Sequence, residues 1–177
     1  MRASIRSVLV CLALTASSPS WATASFANRE LGAGVGVFFL QPPDDARVPW
    51  GLPLTLEGGV YMSNGFDAYL KLQFMLLRQT IGEYVFGFGG HFGVRYLFLE
   101  ETIRPYVMLH LAGFGMPFRA QGPNFFVGPG TGAGIDFFVS DSISLGLRAT
   151  VDLFFTIVTD IKVQASLGGA GYFTTYF

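Results

Sequence analysis

The sequence predicts an all-β protein, an eight-stranded antiparallel up-and-down transmembrane β-barrel. Three observations lead there. The chain is 51% hydrophobic, 16% aromatic and only 13% charged, where an average soluble domain is roughly a quarter charged. Yet glycine, proline or charge interrupts every apolar run before the ~18 residues of a membrane helix are reached. Finally, apolar residues recur with a period of two, the mark of a strand with two unlike faces. In SDSISLGLRATVDLFF, Ser140 to Phe155, the apolar series Ile143, Leu145, Leu147, Ala149, Val151 and Leu153 alternates with Ser144, Gly146, Arg148, Thr150 and Asp152. A hydrophobic chain without spanning helices can cross a bilayer as a closed barrel, because closure satisfies every backbone polar group in lipid.

The first 24 residues stand apart from this domain. Arg2 and Arg6 form a basic start, Val8 to Ala16 an apolar core, and Ala22-Thr23-Ala24 a small-x-small cleavage site. Residues 1–24 therefore read as a secretory signal peptide and 25–177 as the barrel domain. An uncleaved anchor is the competing reading; the short core and the break at Pro19 disfavour it. Cys11, the only cysteine, lies inside the leader after bulky Val10, so neither lipidation nor a disulfide is expected. Without Arg2 and Arg6 the domain keeps nine basic and twelve acidic residues, a formal charge of −3. No basic patch is available for phosphates, so nucleic acid is excluded as a partner.

Turn signals divide the domain into eight period-two runs. The first covers about Glu30 to Leu40 and precedes the loop QPPDDARVPWG. The second, about Leu54 to Met62, ends at Ser63-Asn64-Gly65, and the third covers Asp67 to Leu77. The fourth runs from Tyr84 to Leu99, the fifth from Pro105 to Pro117, and the sixth from Phe125 to Val139. The seventh is the stretch quoted above, and the eighth starts near Lys162. An even count fits a bacterial barrel, and most runs reach the ~9–11 residues needed to cross. Short turns after the second, fourth and sixth strands are expected on the periplasmic side, with both termini.

Charge decides which face looks inward. With each strand phased on its apolar residues, Glu30, Glu57, Asp67, Lys71, Arg95, Asp136, Arg148, Asp152 and Lys162 all fall on the opposite face. A soluble barrel would hide its apolar face. Here Phe86, Phe88, Phe92, Tyr96 and Phe98 of one strand would then compete for a single narrow lumen. The other parity offers Gly87, Gly89, His91, Gly93 and Arg95, which suits a cramped polar interior. The greasy face is expected to meet lipid.

The segment FVGPGTGAGIDFFVSDSISLGLRATVDLFF resembles the outer-membrane β-barrel family that includes the OmpA and OmpX types. The resemblance rests on the glycines from Gly128 to Gly134, on Asp136-Phe137, on the turn Ser140-Asp141 and on Arg148. The ending GYFTTYF is similar to that family's signal to the barrel-insertion machinery, which implies that role for Phe173 and Phe177. The likeness covers the whole domain in architecture and its final third in motifs. It implies a Gram-negative cell outer membrane as the location. Lipid, lipopolysaccharide and the insertion machinery are the implied partners, and the expected state is a monomer. The chain departs from adhesive members in lacking long loops, and no second domain follows the last strand, so a peptidoglycan tether is not implied.

Little else in the sequence points to chemistry. GPGTGAG lacks the Lys-Ser/Thr of a phosphate loop and reads as small residues that leave lumen space. His91 and His110 share the inward parity of their strands. Gly93 and Ala112, their same-face neighbours, supply no nucleophile, so an enzyme is not expected. Two histidines without cysteine are too few to predict a metal site, and no cofactor is expected. The inward charges read as a lumen ion-pair network that plugs the barrel. A hairpin centred on Asn64 sets Glu57 opposite Lys71 as an ion pair. One centred on Ile81 sets Asp67 opposite Arg95 and Lys71 opposite His91, and one centred near Ile157 sets Asp152 opposite Lys162. The expected role is a non-enzymatic outer-membrane protein of structural or surface-contact function. A narrow, porin-like transport barrel for small solutes is the alternative, and a lipid A-modifying enzyme comes third.

Overall fold

The computed structural model describes residues 29–41, 50–80, 83–98, 102–116, 124–156 and 163–177. The leader 1–24 and Lys162 lie outside the described residues. Eight strands follow one another: β1 (Arg29–Leu40), β2 (Trp50–Ser63), β3 (Phe66–Thr80), β4 (Glu83–Leu97), β5 (Ile103–Met116), β6 (Asn124–Ser140), β7 (Ile143–Thr156) and β8 (Val163–Tyr176). Each pairs antiparallel with the next, and β1 pairs with β8 to close the barrel. The largest departure from the sequence reading is at β2, which begins at Trp50 rather than Leu54.

Local sequence explains the details of the wall. Between β2 and β3 both Asn64 (φ 52°) and Gly65 (φ 83°) are left-handed, the pair that a type I′ hairpin turn requires. Two ladders are interrupted where a proline supplies no N–H. The β1–β2 pairing skips from Val35↔Leu54 to Phe38↔Gly51 around Pro53, and β6–β7 skips from Val127↔Phe155 to Gly130↔Asp152 around Pro129.

The two faces separate as the alternation demands. Phe86, Phe88, Phe92, Tyr96 and Phe98 are all exposed, Phe92 at 66%, as are Leu70, Leu72 and Val151. A belt of this size on every strand has no stable place in water and is the lipid-facing surface of a spanning barrel. Glu30, Glu57, Asp67, Lys71, Arg95, Asp136, Arg148 and Asp152 are buried.

The interior holds one element the alternation did not predict. Toward the end away from the chain termini, inward positions carry Phe38, Leu40, Met75, Leu77, Phe114, Met116, Phe126 and Phe154, packed as one buried apolar cluster. Phe114 stands at its centre, with ring centroids 5.7 Å from Phe38, 5.9 Å from Phe126 and 6.4 Å from Phe154. The lumen is therefore a polar column capped by an aromatic plug. Arg104, one residue ahead of the fifth run as read from sequence, is the second residue of β5 and buried, with its guanidinium 4.0 Å from the centre of the Phe138 ring.

Candidate functional site

The polar column has two levels. At the level nearer the termini, alternation on β2, β4 and β7 turns Glu57, Arg95 and Arg148 toward a common centre. The Arg95 guanidinium donates to Glu57 Oε1 at 2.9 Å and also to Glu30 and Asp67. The Arg148 guanidinium grips Glu57 as a fork, with Nη2 2.9 Å from Oε1 and Nη1 on Oε2. Its Nε donates to the Tyr106 hydroxyl at 3.0 Å. Aromatic faces complete the cage. Arg148 lies 4.3 Å from the Tyr172 ring centre and Arg95 lies 5.1 Å from that of Tyr69. Planar guanidinium groups suit this role because they satisfy carboxylates through a fork while stacking on rings.

The second level sits beneath the aromatic plug. His110 Nε2 is 2.6 Å from Asp152 Oδ1, and the Tyr69 hydroxyl is 2.9 Å from His110 Nδ1. Ser166 Oγ donates to Asp152 Oδ2 at 2.8 Å. His91 stacks on His110 with centroids 4.4 Å apart. Gly130 makes room, because a Cβ there would overlap both Asp152 Oδ1 and His110 Nε2. Gly59 does the same for the other level, where a Cβ would lie 2.7 Å from Glu30 Oε1.

Two expected pairings are corrected. Glu57 and Lys71 do stand opposite each other in the β2–β3 register. Among the described residues, however, the ion pairs of Glu57 are with Arg95 and Arg148. Guanidinium groups reaching across the lumen take the carboxylate that a lateral ammonium was expected to hold. Asp152 stands opposite Ser166, not Lys162, because β7 and β8 pair four residues further along than a centre at Ile157 implied. An even shift preserves parity, so Asp152 still faces inward. Asp67↔Arg95 and Lys71↔His91 pair as expected. Asp136 is buried on β6, and a Cβ at Gly146 would overlap its Oδ1. Phe173 faces outward on β8, and the exposed Phe177 follows that strand. Sequence reasoning missed Tyr69, Tyr106, Tyr172 and Ser166 as members of the column. Their signal was present, since Tyr69 shares the parity of Asp67 and Lys71, and Tyr106 that of Arg104.

No protein-family model and no curated protein matches the sequence. Solved structures do match. The structure of Neisserial surface protein A superposes with a TM-score of 0.72 at 12% identity, over 85% of this chain and 97% of that one. The chain has the fold of the small eight-stranded outer-membrane barrels. The N-terminal β-barrel domain of Pseudomonas aeruginosa OprF also matches, with a TM-score of 0.50, 16% identity, and 84% and 99% of the two chains covered. The outer-membrane enzyme PagL gives 0.50 at 14% identity, over 84% and 99%. At such identities the likeness to these barrels is one of fold.

Proposed function

We propose that this chain is a small, non-enzymatic integral protein of the Gram-negative outer membrane, closed to solutes, with a structural or surface-contact role in the envelope. The observation that carries the reading is the filling of the lumen: an aromatic plug above two levels of side chains that reach across the centre. A cavity of about 20 Å³ beside Lys71, Gln73 and His91 is small, since one water needs ~10–15 Å³ on the same measure. Lipid and lipopolysaccharide cover the apolar belt, and the insertion machinery reads Phe173 and Phe177. The barrel is a monomer, delivered through the cleaved leader 1–24.

The order of the second-level groups supports a non-enzymatic role. A serine, a carboxylate and an imidazole do meet there, but as Ser166–Asp152–His110, with the carboxylate in the middle. The imidazole cannot take the serine proton from that position, whereas nucleophilic catalysis needs the base next to the nucleophile. All three face the lumen rather than lipid. A second reading, a narrow pathway for small solutes, is favoured by one observation. Among the described residues Asp67 Oδ1, Gln73 Nε2 and Arg95 Nε are buried without hydrogen-bond partners, and such groups are ordinarily met by water. Planar-bilayer recording separates the two readings. The closed barrel should give no discrete conductance steps, and steps from the purified wild type would transfer the assignment to transport. Lipid A mass profiles that change with expression of the protein would transfer it to an enzyme.

A further inference from the structure

At the second level of the lumen, β4, β5 and β7 bring together both histidines of the chain and an aspartate. His91, His110 and Asp152 are all buried, and one ligating atom from each lies within 4.8 Å of the others. Hydrogen bonds account for His110 and Asp152 through Tyr69 and Ser166. They do not account for His91. Among the described residues both of its ring nitrogens are buried with no hydrogen-bond partner, and the residue is 2% exposed. A neutral imidazole carries one donor and one acceptor, and native interiors rarely leave both unmet. The ring also borders a small cavity that Asp152 lines as well.

We propose that His91, His110 and Asp152 form a binding site for a divalent transition-metal ion of the zinc class. Two imidazoles and one carboxylate are a donor set for Zn²⁺, and imidazole suits nickel, copper and iron as well. Donors on a tetrahedral ion with bonds of ~2.0–2.2 Å stand ~3.3 Å apart. From 2.6 Å, the His110–Asp152 contact opens by less than ~1 Å, and the His91 ring slides toward them. The protons balance without an added acid or base. The ion takes His110 Nε2 and Asp152 Oδ1, and the proton between them moves to His110 Nδ1. That nitrogen then donates to the Tyr69 oxygen, whose own hydrogen turns to Met108 Sδ, 3.4 Å away. Ser166 keeps its bond to Asp152 Oδ2. Outer partners of this kind fix a ligand's tautomer and orientation. Lys71, opposite His91 in the β3–β4 register and lining the same cavity, opposes the ion with its charge.

The site goes beyond the closed-barrel reading and holds whether or not the lumen conducts. Tag-free protein is needed, because His91 and His110 are then the only histidines present. The protein is unfolded with a chelator, refolded into detergent micelles with Zn²⁺ or Co²⁺, desalted, and its metal counted by mass spectrometry. About one ion per folded barrel is expected, with the visible absorption of a low-coordinate Co²⁺ site. His91→Gln should abolish both, and because it leaves the His110–Asp152 bond in place, the heat-modifiable gel shift should persist. Asp152→Asn should abolish them as well, whereas Lys71→Met should tighten binding. Wild type that folds without retaining metal, or metal retained by folded His91→Gln, would overturn the site.

Discussion

Replacing Glu57 by glutamine keeps the shape of the side chain and removes its charge. Three guanidinium contacts meet that carboxylate, one from Arg95 and two from Arg148. The two arginines do not depend on it equally. Arg95 also pairs with Glu30 and Asp67, while the ion pair of Arg148 among the described residues is with Glu57. Both side chains are buried, Arg148 at 3% and Glu57 at 4% exposure, so solvent screening offers little relief. Removing one partner of a buried pair costs ~3–5 kcal/mol, mostly from the charge left behind. That is about two to four orders of magnitude in the folding equilibrium. Arg148→Met alone should cost less, since Glu57 keeps its bond to Arg95, and the double variant less than the sum of the two. Urea titration of the refolded protein, followed by the heat-modifiable gel shift, measures the cycle. A Glu57–Lys71 cycle should give a smaller coupling than Glu57–Arg148. Should Lys71 prove the stronger partner, or the Arg148 coupling fall near zero, the cross-lumen fork would be the wrong description.

Three further outcomes are expected. Leu72→Arg places a charge on the lipid face and should cost ~2–4 kcal/mol near mid-membrane; folding into vesicles as efficient as wild type would mean that β3 is phased wrongly. Gly130→Ala should destabilise the barrel in urea, since its methyl would occupy the space of Asp152 Oδ1 and His110 Nε2, whereas Gly113→Ala meets no atom of the described residues within 4 Å and should be nearly neutral. Equal stability of the two would remove the close-packing role given to Gly130. Deleting Phe177 should lower the heat-modifiable species in outer-membrane fractions, and an unchanged yield would remove the assembly role given to the terminal aromatics.

The wall of this barrel was legible because period-two alternation is a local signal and short turns set the register between neighbours. Centring on Asn64 and Ile81 predicted Glu57↔Lys71 and Asp67↔Arg95, the pairs observed. Six residues separate β7 from β8, against two between β3 and β4, with no Asn-Gly to mark their centre, and the register there missed by four residues. The plug was hidden for a different reason. Around Phe38-Phe39-Leu40 and Leu153-Phe154-Phe155 both faces are apolar, so alternation loses its contrast. The choice of Arg148 by Glu57 was beyond local reading. The two are 91 residues apart in sequence, and only closure brings β2 and β7 within reach of each other across the lumen.

That separation bears on the order in which the molecule assembles. Hairpins can zip one after another, since each ladder joins sequence neighbours, and the wall accumulates stability step by step. The Arg148 fork cannot contribute until β7 has swung opposite β2, nor can the Tyr69–His110–Asp152 chain until β3, β5 and β7 share one interior. Contacts of such long range are late rewards, and they slow the approach to the native state. An open sheet of seven strands would hold Arg148, Asp152 and Glu57 as separate charges beside lipid, a state that costs more as more strands insert. Sealing β1 against β8 ends that cost and brings in the cross-lumen bonds in the same event. The fully paired interior thus acts as a latch, making the last seam the commitment step and leaving a nearly closed barrel little reason to persist.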